Sequence, residues 1–169
     1  MSDFIAVGRE AVSTMLSPDG VSWVETPVIP EQDWRSVCWS PALSLFVAVS
    51  VTGTGTRVMT SSDGALWTLR STPADNAWNS VVWAPALSLF VAVSSTGAGS
   101  QAMTSPDGIT WTLRSTPGTD TRLTVCWSAT LSLLVATGNG NTAITSVDGV
   151  NWVSRTLPAT YIWQSVCWA

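Results

Sequence analysis

The chain has 169 residues, 46% apolar and only 11% charged; seven arginines and no histidine stand against eleven acidic residues, for a net charge of −4. That balance excludes a disordered chain, which combines low hydrophobicity with high net charge. It also excludes a nucleic-acid reader, which needs a basic face, and every imidazole-based acid, base or zinc ligand.

Internal repetition governs everything that follows. Residues 34–77 align with 78–121 without a gap, at 29 identities in 44 positions. A third copy, 122–162, is three residues shorter around Thr137 to Asn141. The chain then closes on Trp163-Gln-Ser-Val-Cys-Trp168, the opening of a further copy. The N-terminal stretch supplies what that opening lacks. Phe4-Ile-Ala-Val-Gly8 matches Phe46-Val-Ala-Val-Ser50, and Ser17-Pro-Asp-Gly-Val-Ser-Trp23 matches Ser105-Pro-Asp-Gly-Ile-Thr-Trp111. The blades are therefore expected at 34–77, 78–121, 122–162, and 163–169 together with 1–33, forming one domain over 1–169.

In chain order, each copy reads as four short strands. In the first full copy, strand A covers 34–39 and a Pro-Ala-Leu-Ser turn follows. Strand B, 45–50, is a run of β-branched and aromatic residues. A Gly/Thr loop, 51–56, leads to strand C at 57–61, a Ser-Asp-Gly turn and strand D at 66–72. Turn signals every 8–12 residues indicate all-β structure, and four strands in a 40–50-residue period indicate a propeller blade. The expected fold is a four-bladed β-propeller of four-stranded antiparallel blades. The C-terminal strand A pairs with N-terminal strands B–D to close the ring, because an unpaired edge at the seam is a liability. Two chains exchanging that strand, in an eight-bladed dimer, satisfy the same pattern.

The turn between strands C and D is Ser-x-Asp-Gly-x-x-Trp in all four copies. Its members are Ser17, Asp19, Gly20 and Trp23; Ser61, Asp63, Gly64 and Trp67; Ser105, Asp107, Gly108 and Trp111; and Ser146, Asp148, Gly149 and Trp152. Asp accepts bonds from nearby amides, Gly takes positive φ, and Trp anchors the returning strand. The motif resembles the Asp-box, or BNR, repeat of sialidases, sortilin-type receptors and photosystem assembly propellers. It lacks one residue between Asp and Gly. The resemblance implies a folding element on the face away from any active site, so these residues are expected to be structural. Each Asp stands alone in its turn, which does not make a calcium cage, and neither metal nor cofactor is expected.

The remaining tryptophans begin or end strand A. Trp34, Trp78 and Trp163 begin it, with Arg122 at that place in the third copy. Together with Asp33, Asn76 and Asp120, these four are the candidate ligand-binding residues: aromatic platforms with polar partners, suited to a glycan. They lie near the face formed by the B–C loops and the D–A linkers, where the copies differ most and where binding residues concentrate. The resemblance to sialidases raises hydrolysis, but the only tyrosine is Tyr161 and all glutamates (Glu10, Glu25, Glu31) fall in the first 31 residues. No catalytic residues are expected. The function read here is non-catalytic recognition of a glycan or protein surface, with a viral, phage-associated or engineered repeat scaffold as the alternative. Cys38, Cys126 and Cys167 share one repeat position, held by Val82 in the second full copy, and read as small buried hydrophobes. Free thiols, and no segment resembling a signal peptide or the ~18-residue apolar run of a membrane helix, point to an intracellular or virion-associated protein without a membrane partner.

Overall fold

The computed structural model describes residues 3–9 and 11–169; Glu10 lies outside them. The backbone is four antiparallel sheets. The N-terminal sheet holds β1 (Phe4–Ala6), β2 (Ala11–Ser17) and β3 (Val24–Gln32). The first full copy forms β4 (Trp34–Ser40), β5 (Leu45–Ser50), β6 (Val58–Ser61) and β7 (Thr68–Arg70). The second forms β8 (Trp78–Ala84), β9 (Leu89–Ser94), β10 (Ala102–Ser105) and β11 (Thr112–Arg114). The third forms β12 (Arg122–Ser128), β13 (Leu133–Ser146) and β14 (Val153–Ile162). Here β13 serves as two strands: its first part pairs with β12 and its last part with β14. The fold is an all-β, four-bladed propeller of the kind the repeat predicts.

Local chemistry explains each blade. The Leu-Phe-Val-Ala-Val-Ser strands β5 and β9 are buried along almost their whole length, because a blade is covered on both faces. The A–B turns place Ser44, Ser88 and Ser132 at φ of 49°, 51° and 47°, a left-handed corner repeated three times. Strand A carries a bulge just inside its start in every full copy, between Trp34 and Ser36, Trp78 and Ser80, and Arg122 and Thr124. Bulges of this kind re-aim side chains.

The core lies between blades, in three layers. Trp34, Ala48 and Met59 pack with Val7 and Trp67 between the N-terminal and first sheets. Val47, Val49 and Val58 meet Trp78, Phe90, Met103 and Trp111 between the first and second. Val91, Val93 and Ala102 meet Leu134, Ile144 and Trp152 between the second and third. Each fully buried side chain of this size contributes about 1.5–3 kcal/mol. Tilted aromatic stacks repeat as well: Trp39 to Phe46 at 4.4 Å and Trp83 to Phe90 at 4.7 Å between ring centroids. Serine hydroxyls join neighbouring innermost strands, Ser36 Oγ accepting from Val81 N–H and Ser80 Oγ from Val125 N–H, both at 3.2 Å.

The seam differs from the expectation. Residues 163–169 form no strand, and β1 pairs only with β2. The four blades are present and in order, but the closing pair between C-terminal strand A and the N-terminal strands does not form within this one chain. The physical reason lies in the arc itself. Its core is three layers between successive sheets, and no fourth hydrophobic cluster joins β1–β3 to β12–β14 among the described residues.

Candidate functional site

The loop face is built from the B–C loops and the D–A linkers, which are stitched to one another. Thr72 N–H donates to Gly55 O at 2.9 Å and Thr116 N–H to Gly99 O at 2.9 Å. Asp33 N–H donates to Thr52 Oγ1 and Ala77 N–H to Thr96 Oγ1, each at 2.8 Å. Gly55 N–H reaches Asp75 Oδ1 at 2.6 Å. Arg57 clamps its own loop, giving Nε to Gly53 O at 2.7 Å and Nη1 to Val51 O at 2.9 Å. Side chains thus satisfy loop backbone that would otherwise be left to water, and the loops form one rigid surface.

The candidate residues take unequal places on it. Trp34 and Trp78 are 1% and 0% exposed, which overturns their assignment as stacking platforms. The bulge after each one turns the indole into the layer between blades. Trp78 Nε1 donates to Ala74 O at 3.3 Å. Arg122 is 0% exposed and is likewise no surface residue. It reaches Thr142, Nη1 to the carbonyl at 3.0 Å and Nη2 to Oγ1 at 3.2 Å. Burial lowers its pKa, opposed by the charge of Asp120. Asn76 and Asp120, expected as ligand partners, are engaged by the B–C loop of the copy that follows: Asn76 Nδ2 donates to Ser100 O at 2.9 Å, and Asp120 Oδ2 accepts from Thr142 Oγ1 at 2.6 Å. Asp33 faces Arg9 at 3.8 Å and Arg35 at 3.9 Å, loose pairs of small energetic weight. Of the three candidate tryptophans, Trp163 alone is partly exposed. It meets Tyr161 edge-to-face at 5.5 Å, and its Nε1 donates to Gly140 O at 3.2 Å.

Tyr161, 63% exposed, is the residue that sequence reading passed over. Its one signal was uniqueness in a chain that otherwise repeats. Arg70, Arg114 and Arg155 recur instead as lateral braces, each giving Nε to a threonine of the neighbouring strand: Thr60, Thr104 and Thr145. Cys38 packs against the layer between the first two blades, and burial raises its thiol pKa; Cys126 is half-buried and Cys167 is exposed.

The opposite face carries the four turns, and they are nearly identical. In the first, Ser61 Oγ donates to Asp63 Oδ1 at 2.9 Å while accepting from Gly64 N–H at 2.8 Å. Asp63 Oδ1 also accepts from Ala65 and Leu66 N–H, both at 2.9 Å. Trp67 Nε1 returns to Gly64 O at 3.0 Å. One carboxylate oxygen of each aspartate thus takes three bonds inside its turn. Among the described residues, no group of three or more His, Cys, Asp or Glu could hold a metal ion.

These bonds lower the pKa of all four turn carboxylates. Backbone amides of Ser22 and Val21 act on Asp19, those of Leu66 and Ala65 on Asp63, and the backbone and side chain of Asn151 on Asp148. At Asp107 burial pulls upward, but the amides of Thr110 and Ile109 and the Ser105 hydroxyl together outweigh it. A carboxyl depressed on folding contributes stability above its unfolded pKa of about 3.9 and loses it as pH falls through the folded value. Calorimetric Tm should therefore hold between about pH 5 and 7 and decline below about pH 4, with a shallower decline in Asp63→Asn. A Tm that stays level down to pH 2 would contradict this account of the turns.

No protein-family model matches the chain, and no curated protein matches it in sequence. Its similarity to solved structures is one of fold. It superposes on YCF48 bound to D1 peptide with TM-score 0.69 at 13% identity, covering 98% of this chain and 53% of that one. A nidogen/laminin complex gives 0.75 at 12% identity, covering 99% and 70%. Virginiamycin B lyase from Staphylococcus aureus gives 0.73 at 10%, covering 93% and 56%. The chain spans about half the length of YCF48 and of the lyase.

Proposed function

We propose that this chain is a non-catalytic recognition module that binds a protein or peptide across the face of the B–C loops and D–A linkers, with Tyr161 and Trp163 as its aromatic anchor. The observation carrying this reading is the edge-to-face pair of exposed Tyr161 and half-exposed Trp163 beside the hydrogen-bonded loop surface. Tyrosine and tryptophan dominate binding hot spots because they bury a large rigid area and keep a polar tip. A likeness to propellers solved with a peptide or a protein partner supports it. A ring of glycan platforms draws no support from Trp34 and Trp78, whose rings are covered.

Selection from a displayed peptide library tests the reading. Enriched peptides should bind the parent chain, and Tyr161→Ala should weaken them by tenfold or more, about 1.4 kcal/mol, without moving Tm. Equal affinity of the variant, or binding confined to a glycan array, would overturn it.

A further inference from the structure

Each internal layer is made the same way. The side of a blade that looks toward the N-terminus presents an aromatic, a methionine or aliphatic residue and the turn tryptophan. Phe90, Met103 and Trp111 are 0%, 0% and 7% exposed; Leu134, Ile144 and Trp152 are 0%, 0% and 8%. The side that looks toward the C-terminus presents valines: Val47 and Val49, or Val91 and Val93, all 0% exposed. In the N-terminal blade the equivalent trio is Phe4, Met15 and Trp23, and it is 57%, 36% and 41% exposed. In the third blade Val135, equivalent to Val47 and Val91, is only half-buried. One end of the arc displays a trio without its valine wall; the other end offers half-buried Leu133 and Val135, with buried Thr137 at the place of Val49 and Val93.

The backbone is split between the same two ends. The N-terminal blade has strands B, C and D as β1, β2 and β3, and among the described residues no strand pairs with the edge of β1 away from β2. Residues 163–168, Trp-Gln-Ser-Val-Cys-Trp, differ from 34–39, Trp-Arg-Ser-Val-Cys-Trp, at one position, yet they pair with no strand. They are already launched along the ring. Trp163 N–H donates to Gly138 O at 2.9 Å, the repeat equivalent of Trp34 N–H donating to Gly8 O at 3.0 Å. From that bond the segment leaves β13 at the position where strand A begins in the internal blades. The slot that follows the third blade thus holds a strand A and awaits strands B–D. This chain's own N-terminal blade does not occupy it.

We propose that two copies of this chain close one eight-bladed ring, residues 163–168 of each adding the innermost strand along β1 of the other. The trio Phe4, Met15 and Trp23 of one copy packs on Leu133 and Val135 of its partner, and both seams close at once. Adding a strand satisfies an open edge with main-chain bonds, and cyclic two-fold closure stops the head-to-tail contact from growing into a fibre. The serine rungs continue, Ser165 of one copy taking the place before Val37 of the other. The exchanged strand begins at Trp163, which the proposed binding site also uses; the mass and cross-link below test the exchange, and Tyr161→Ala tests binding, so each reading can fail without the other.

Native mass spectrometry and light scattering of the 169-residue chain should give about 36 kDa, twice its 17.9 kDa. A mass of one chain, or an open-ended series, would overturn the proposal. Strand register gives the second readout. Cys38 faces Val47 and Cys126 faces Val135, so Cys167 should face Ile5 of the other copy, within disulfide reach. In a Cys38→Val, Cys126→Val background, which copies Val82, Ile5→Cys oxidised with diamide should run as a covalent dimer on a non-reducing gel. A 36 kDa particle that yields only single chains on that gel would overturn the strand exchange.

Discussion

Trp78→Ala is expected to lower the unfolding free energy by about 3–5 kcal/mol. The indole is 0% exposed in the layer where the first two blades meet, among Val49, Val58, Val81 and Met103. Removing it loses the transfer energy of a large ring and leaves a cavity that three consecutive β-sheets cannot collapse to fill. It also removes the donor to Ala74 O. In urea, the midpoint should fall with the slope unchanged, compared at one fixed protein concentration so that any association of copies enters both measurements equally. In dilute, separated chains Trp163→Ala, at the equivalent but half-exposed position, should cost far less. A Trp78→Ala variant as stable as the parent would mean that the indole serves a ligand rather than the fold.

That contrast marks how much was legible in the sequence. The four blades, their strands and the Ser-x-Asp-Gly-x-x-Trp turns could be read because each signal occurs three or four times, and repetition averages out local ambiguity. The destination of Trp34 and Trp78 could not. A one-residue bulge decides which side of a strand a residue faces, and no pattern of apolar and polar residues announced the bulge at Ser36 or Ser80. Asn76 and Asp120 misled for a related reason. Polar side chains on loops look alike whether they await a ligand or cap their own backbone, and here the neighbouring B–C loop takes their bonds. Arg122 looked like a break in an aromatic surface. It is a buried brace to Thr142, placed in the one copy whose B–C loop is three residues shorter. The seam was illegible in a different way. The sequence specifies which strand completes the N-terminal blade, but pairing within a chain and pairing between chains use the same hydrogen bonds.

Gly108→Ala is expected to cost roughly 2–4 kcal/mol, and Gly20→Ala about 1–2, although the two glycines hold the same place in the same turn. Both have φ of +74°, so alanine pays the left-handed penalty of about 1–2 kcal/mol at either. Their surroundings differ. A Cβ on Gly108 would stand 2.9 Å from Leu45 Cδ2 and 3.1 Å from Val47 Cγ2, across the layer on the preceding blade. Its nearest neighbour on Gly20 is the ring of Phe4 in its own blade, at 3.5 Å. Crowding a packed layer adds about 1–3 kcal/mol; an open surface adds nothing. Measured by urea unfolding at protein concentrations low enough to keep chains apart, the two costs should differ by at least about 1 kcal/mol. If a second copy covers the N-terminal blade, raising the concentration should bring the Gly20→Ala cost up toward that of Gly108→Ala, because Leu133 and Val135 of the other chain then stand where Leu45 and Val47 stand in the internal layer. Equal costs at every concentration would show that the turn glycine answers to its φ alone, and that the preceding blade leaves it the room an alanine needs.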